Sequence, residues 1–327
     1  MKAFVLTRHG GIENLVLSDL PVPTWSGNEV LIRTRAISVN RVDSFVREND
    51  FAVNVFYKPN GRNESIVLGW DVSGEIVAVG GDVKELKVGD DVFGLVNFFG
   101  RGRSNAEYVT APAAHLTVKP SNVTHEAAAA SGLAALAAWE AIITYGQARA
   151  GQKVLIHGAA GGVGHFAVQL ARHLGAFVIG TGSPASKEFV LGLGVDQFID
   201  YTSQTIENLV QDADLVLDPM PGPHIFHSLA AAKPGGRVIS LLPYDDHDGR
   251  MAAVVNQKKL FTHRVVVSSN GETMKEIASL LQSGVLKPHL SEVFPFGELP
   301  LAHSAIDTGH TKGKIVVLGP QELGTGN

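Results

Sequence analysis

The 327 residues carry 27 lysines and arginines against 32 aspartates and glutamates, a formal net charge of −5, with 45% hydrophobic and 18% charged residues. This is the make-up of a folded globular chain of two-domain length, and mild acidity without a basic cluster argues against nucleic acid as a main partner. Cysteine is absent, which removes disulfides, thiolate nucleophiles and cysteine metal ligands together.

No apolar run is long enough to span a bilayer. The opening MKAFVLTRHG has neither the apolar core nor the cleavage site of a secretory leader. The expectation is a cytoplasmic protein with no membrane partner.

Residues 1–122 read as short strands: KAFVLT, LVLSDLPVP, NEVLIRTRAISVN, DVSGEIVAVG and AEYVTAPAAHLTVKP. Glycine and proline separate them at the spacing of a barrel-like β domain. Between them, Asp50 to Ser65 is polar and glycine-bearing, with Phe51, Phe56 and Tyr57 scattered through it. It reads as a loop, either beside a pocket or on plain surface.

From Val123 the texture changes to HEAAAASGLAALAAWEAIITYG, alanine-rich and apolar at helical spacing. Next comes KVLIHGAAGGVGHFAVQLARHLG at 153–175, a buried strand, a glycine turn and a helix. Strands and helices then alternate through AFVIGT, ASKEFVLGLG, QFIDY, QTIENLVQ, ADLVLDP, PHIFHSLAAAK, GRVISLLP and HRVVVSS. Repeated units of this length call for a parallel sheet covered on both faces, the α/β doubly wound Rossmann arrangement. In that setting Ala159, Ala160, Gly161, Gly162, Val163 and Gly164 form a G-x-G-x-x-G cradle with alanine in its first place. Its backbone N–H groups would meet a dinucleotide's diphosphate at a helix N-terminus. Outside that setting the same turn would be no more than a glycine-rich helix cap.

About 20 residues beyond such a cradle, an acid would hold both ribose hydroxyls of NAD. GTGSPASK stands there instead. Ser183 takes the acid's place, Lys187 follows within reach, and Tyr201 ends the next strand. A hydroxyl and an ammonium suit a phosphate dianion, so the expected cofactor is NADPH; the bland alternative makes Lys187 a solvated helix residue. Ligands lie at the carboxyl ends of parallel strands, which adds Leu241, Leu242 and Pro243 as backbone contacts for the nicotinamide amide.

The amphipathic ETMKEIASLLQSG and the strand, helix and closing strand after it are expected to return to the first domain. The domains are then 1–122 with 269–327, and 123–268, with a cleft between them.

The order of β domain, AAGGVG and return segment, with ISVNRVD at 37–43, LGWDVSGEIVAVG at 68–80, LKVGDDVFG at 86–94 and AEYVTAP at 106–112, resembles the medium-chain dehydrogenase/reductase superfamily. Within it the chain is similar to the zinc-independent quinone oxidoreductase branch, which includes enone and alkenal reductases and the lens zeta-crystallins. The resemblance covers residues 1–319. It implies a GroES-like catalytic barrel beside the Rossmann domain, and NADPH-dependent hydride transfer to a small-molecule quinone or α,β-unsaturated carbonyl. It also implies pocket roles for Asn40 and Asp43, with Phe45 just beyond them where many relatives carry tyrosine. The closing KGK, Lys312 to Lys314, would approach the cofactor phosphate or the cleft.

Bland readings stand beside these. Asn40 serves equally as a turn residue bonding its own backbone, and Asp43 either braces the barrel or holds a ribose hydroxyl. Trp70 and Phe45 are core or substrate wall. His157 and His165 sit on the cradle by packing or capping. The zinc-ligand places of the superfamily's alcohol dehydrogenases hold Asn40, Trp70 followed by Asp71, and the stretch around Leu133; only Asp71 is of ligand type. Zinc-based alcohol oxidation is therefore a rival that is not expected. A second rival is an NADPH-binding structural or regulatory protein without turnover. HRVVVSS, at 263–269, would be an unpaired sheet edge, and a homodimer is expected across it.

Overall fold

The computed structural model describes residues 1–59, 61, 65–244, 246 and 248–320. The chain forms two compact units, one from Met1–Leu133 joined by the segment from Ser268, the other Ala134–Val267.

The first unit opens with an antiparallel ribbon of β1 (Lys2–Leu6) and β2 (Leu15–Asp19). There follow β3 (Glu29–Val39), α1 (Arg41–Glu48), α2 (Asp50–Ala52), β4 (Asp71–Val79), β5 (Asp91–Leu95), β6 (Tyr108–Pro112), β7 (Leu116–Val118) and α3 (His125–Ala130). β3 is central. Its first half pairs with both β4 and β6, and its second half with β4 and β15 (Lys314–Leu318). Irregularities in its register against β4, at Leu31/Ile32 and Thr34/Ala36, let one strand bend enough to serve three partners. Ala129 and Ala130 of α3 pack with Ala36 and Val316, so small side chains bring this helix close onto the sheet.

α4 (Leu133–Trp139) carries the chain into the second unit. That unit alternates β8 (Lys153–Ile156), α5 (Gly162–His173), β9 (Phe177–Gly182), α6 (Lys187–Gly192), β10 (Gln197–Asp200), α7 (Ile206–Leu209), β11 (Ala213–Asp218), α8 (Ile225–Ala231), β12 (Ala232–Ser240), α9 (Arg250–Lys258) and β13 (Phe261–Arg264). Its six strands lie in the order β10-β9-β8-β11-β12-β13, every pair parallel. Val154, Leu155 and Ile156 are all fully buried, the continuous rather than alternating pattern of a strand covered on both faces. The strand order reverses between β8 and β11, which makes their carboxyl ends the switch point where ligands bind in open α/β sheets.

The return segment holds α10 (Gly271–Gln282), β14 (Leu290–Phe294), α11 (Leu299–Asp307) and β15. β15 pairs antiparallel with β3 and β14 lies parallel to β15, so the last strands complete the first unit's sheet.

Two local expectations change. Asp50 to Ser65 is not a loop throughout. It is helical from Asp50 to Tyr57, the later part as a wide π-type turn, because Ala52, Val53 and Tyr57 bury one face with Phe56 half-buried beside them. Residues 60 and 62–64 of that stretch, like the tail from 321, lie outside the described residues. The last strand of the parallel sheet ends at Arg264 rather than Ser269. Its partner β12 stops at Ser240, whose carbonyl accepts the Val265 N–H at 2.9 Å.

Candidate functional site

The turn between β8 and α5 is built on Gly158, which takes a left-handed φ of +57° that glycine adopts without strain. Ala159 is buried behind it and donates its N–H to Thr181 O at 3.0 Å. A Cβ at Gly164 would stand 2.2 Å from the Gly158 carbonyl oxygen, and one at Gly161 would stand 3.3 Å from it. The helix therefore lies as near the turn as backbone allows, which is the packing role of the cradle's last glycine. Gly161 caps α5 with no side-chain bond, and Ala160, Gly161, Gly162 and Val163 remain partly open. Uncapped N–H groups with the positive end of a helix dipole suit a diphosphate.

Two buried polar atoms at the same end of the sheet lack a partner: His157 Nε2, beside Gly158, and Ser240 Oγ, at the end of β12. Native structures fill such positions with a bound group or water. Burial pushes the His157 imidazole down to about 3, so it is neutral. Between them, Asp218 accepts from the Met220 N–H at 2.8 Å, from Ser228 Oγ at 2.7 Å and from His224 Nδ1 at 3.2 Å. Burial raises its carboxyl, but the bonds from His224 and Ser228 outweigh that and keep it below its ordinary value. These groups fit a dinucleotide, which when bound supplies a hydride from its nicotinamide ring.

Gly182 and Asp200 are register partners at the ends of β9 and β10, so Ser183 and Tyr201, the next residue in each case, emerge at one corner. The Tyr201 N–H donates to Gly182 O at 3.4 Å. Lys187 opens α6 and is exposed, as is Tyr201, while Ser183 is half-buried. Asp200 shares the corner, but its carboxylate is engaged by the Thr202 N–H and hydroxyl at 2.9 and 2.7 Å and by Ser203 Oγ at 2.9 Å. The Thr202 bonds, the Ser203 bond and then the charge of Lys187 hold it below its ordinary value. At the end of β12, Leu241 donates its N–H to Asp218 O at 3.0 Å, with Leu242 and Pro243 exposed beyond it. Lys312 belongs to the first unit, where it borders a hollow of about 390 Å³ with His289, Ser291 and Thr308.

Asn40 and Asp43 lie in a buried ionic network in the first unit. Asn40 caps α1, its N–H donating to Asp43 Oδ2 at 2.7 Å. Its side-chain Nδ2 donates to Asp71 Oδ2 at 2.9 Å, and its Oδ1 accepts from Lys314 Nζ. Lys314 also donates to Val39 O at 3.1 Å, and Asp71 Oδ1 accepts the Leu133 N–H at 2.7 Å. Gly132 permits that approach, since a Cβ there would stand 2.1 Å from Asp71 Oδ1. Burial raises Asp43 to about 7, with the Asp71 charge adding to the rise. Burial also outweighs the pairing of Asp71 and Lys314, raising the first and lowering the second. Both ends of the Asn40 amide are thus spent on protein partners, so Asn40 acts here as a connector. Lys314, the last residue of the closing KGK that the resemblance sends toward the cofactor phosphate or the cleft, is buried in this network; its burial is what sequence reasoning missed, since its partners lie some 270 positions away along the chain.

The zinc places do not fit a zinc ion. Asn40 and Asp71 bond each other and Lys314, Trp70 is buried core, and among the described residues no three histidines or acids are placed to hold a metal.

Residues 26–121 match the model of the alcohol dehydrogenase GroES-like domain, and residues 193–317 match that of the zinc-binding dehydrogenases. The chain is 34% identical over 330 residues to an NADPH-dependent alkenal/one oxidoreductase of Arabidopsis thaliana chloroplasts, covering 97% of this chain and 79% of that one. It belongs to the medium-chain dehydrogenase/reductase superfamily. Among solved members, a quinone oxidoreductase from Coxiella burnetii superposes with a TM-score of 0.87 at 30% identity, covering 98% of this chain and 99% of that one. A mycobacterial protein complexed with NADPH superposes with a TM-score of 0.83 at 26% identity, covering 97% of this chain and all of the other. The superfamily's two-domain plan is the one seen here, a Rossmann sheet and a mainly β unit completed by the returning chain.

Proposed function

We propose that this chain is a zinc-independent, NADPH-dependent oxidoreductase that reduces a quinone or an α,β-unsaturated carbonyl. The observation that carries the reading is the corner formed by Ser183, Lys187 and Tyr201, where an NAD-specific sheet would offer a free acid. Asp200, at the same corner, is turned into its own Thr202–Ser203 turn. The names of the Arabidopsis alkenal/one oxidoreductase and the Coxiella quinone oxidoreductase agree with this choice of acceptors.

In such a reaction the acceptor gains two electrons and one proton as hydride. An enone takes the hydride at its β-carbon and then a proton at the α-carbon; a quinone becomes a hydroquinone by the same sum. The second proton comes from water, and the protein's contribution is position and a dry, polar surround for the developing oxyanion. An assay of NADPH absorbance with a panel of quinones and enones, in the presence of a chelator, tests the reading. Chelator-resistant turnover with product formed mole for mole is expected. Firm NADPH binding with no turnover of any acceptor would leave a cofactor-binding protein without this activity.

A further inference from the structure

The second unit gathers three imidazoles and two carboxylates around the start of α8. His224 closes the short turn that leads into this helix, with helical backbone angles, and His227 stands three residues on. Residues at that spacing share one face of a helix. Their ring centroids are 5.4 Å apart, and His157 meets His224 edge-to-face at 4.6 Å. Each ring is held through its Nδ1. His224 Nδ1 bonds Asp218 Oδ2 at 3.2 Å, His227 Nδ1 bonds Glu207 Oε1 of α7, and His157 Nδ1 lies 3.4 Å from Thr181 Oγ1.

Both carboxyls sit below their ordinary values. Burial raises Glu207, as it does Asp218, but the bonds from its own backbone N–H and from His227 outweigh the rise. An ionised carboxylate only accepts, so Nδ1 is the donor in each pair, and a neutral ring keeps its lone pair on Nε2. Among the described residues no hydrogen bond reaches Nε2 of His224 or His227, and their side chains are 25% and 50% exposed. The cations of α9 are engaged elsewhere, Arg250 with Asp248 and the Phe226 ring and Lys258 with the carbonyls of Leu229, Ala230 and Ala232. A histidine that donates one ring N–H to a carboxylate has its tautomer and orientation fixed and its other nitrogen made more basic, the support that metal-ligating histidines receive. An ion about 2.0–2.1 Å from two Nε2 atoms, at a tetrahedral angle, sets the ring centroids roughly 5 Å apart, close to the spacing found.

We propose that His224 and His227 bind a zinc-type divalent cation through their Nε2 atoms, with Asp218 and Glu207 holding the two rings. No third protein ligand is placed to join them among the described residues, so water completes the ion's coordination. Imidazole nitrogen suits zinc, nickel and copper, whereas magnesium and calcium take oxygen. The superfamily's zinc places, at Asn40, Asp71 and Leu133, belong to the first unit, and no part of the hydride step uses this ion. Turnover therefore stays chelator-resistant, and loss of the site would leave the reductase reading intact.

Calorimetric titration of the full-length, cofactor-free protein with zinc chloride tests the site, beside His224→Gln, His227→Gln, Glu207→Gln and, as a control at an exposed histidine on another helix, His173→Gln. The wild type should show a single saturable zinc-binding step that magnesium chloride does not reproduce. His224→Gln and His227→Gln should each remove the step, Glu207→Gln should weaken it by about tenfold or more, and His173→Gln should leave it unchanged. In the wild type, zinc should also shift the Nε2 nitrogen resonances of two imidazoles, a reading that needs no variant to fold. A wild type with no saturable step, a step that survives loss of either histidine, or zinc shifts confined to Nδ1 would overturn the site. The imidazoles would then serve only to tie α8 to α7 and β11.

Discussion

Lys314 Nζ lies 3.8 Å from Asp71 Oδ2, with both side chains sealed from solvent. The pair joins β15, from the end of the chain, to β4 near its beginning, and through Asn40 and Leu133 it also fixes the starts of α1 and α4. Removing one partner of a buried pair leaves the other charge uncompensated. Lys314→Met is expected to destabilise the protein by roughly 3 to 5 kcal/mol, read from the urea midpoint. The double variant Lys314→Met with Asp71→Leu should recover much of that. A single-variant loss below about 1 kcal/mol would mean that the pair is not sealed as described.

Asp43 gives a pH dependence of defined sign. Its carboxyl is raised by burial to about 7 from an ordinary value near 4, so between those values the folded state holds a proton that the unfolded state has released. Stability is therefore greatest on the acid side and falls as pH rises toward 7, by up to about 1.4 kcal/mol per pH unit. Thermal denaturation of Asp43→Asn should lack this slope while still serving the Asn40 N–H through its amide oxygen. Identical pH profiles for wild type and variant would assign the slope to another group.

Gly164 and Gly192 make a matched pair of substitutions. A Cβ at Gly164 would collide with the Gly158 carbonyl, whereas one at Gly192 meets nothing within 4 Å. Gly164→Ala is expected to cost roughly 1 to 3 kcal/mol and to weaken cofactor binding, since relief of the clash spreads the cradle. Gly192→Ala, at the end of α6, should be neutral or stabilising by up to about 1 kcal/mol. Unfolding curves and NADPH titrations of the two variants check both directions.

The second unit is legible in the sequence because buried parallel strands leave continuous apolar runs, as in VLI of β8, each followed by a helix. The strand, turn and helix at 153–175 are legible as well, with Gly158 taking the left-handed place in the turn. Nothing in a motif reports which residue takes φ above zero. The helix through Tyr57 had a signal, apolar residues Ala52, Val53, Phe56 and Tyr57 recurring four apart, blurred by the exposed apolar Phe51 and Val55 beside them. Lys314 had none. Its burial depends on contacts with Val39 and Asn40 at the other end of the chain, and a lysine in a glycine-flanked closing segment reads as solvated. Trp70 proved core and Phe45 largely open, a difference set by tertiary packing and not by residue type.

β13 ends the order of the parallel sheet, and Phe261 on it is 41% exposed, with Val266 just beyond at 50%. An edge of this kind favours pairing with a second copy. Sedimentation equilibrium at micromolar concentration is expected to give twice the chain mass, and Val266→Lys should shift the protein toward monomer. A wild-type monomer in dilute solution would remove this assembly.

Cofactor choice is decided most directly by titrating the wild type and Lys187→Ala with NADPH and with NADH, following nicotinamide fluorescence. The wild type should bind NADPH more tightly. Lys187→Ala should weaken NADPH by roughly 1 to 3 kcal/mol, the worth of a hydrogen bond to a charged group, and leave NADH nearly untouched. Equal or reversed preference in the wild type, or equal weakening of both cofactors in the variant, would contradict the phosphate role of Ser183 and Lys187 and with it the NADPH assignment.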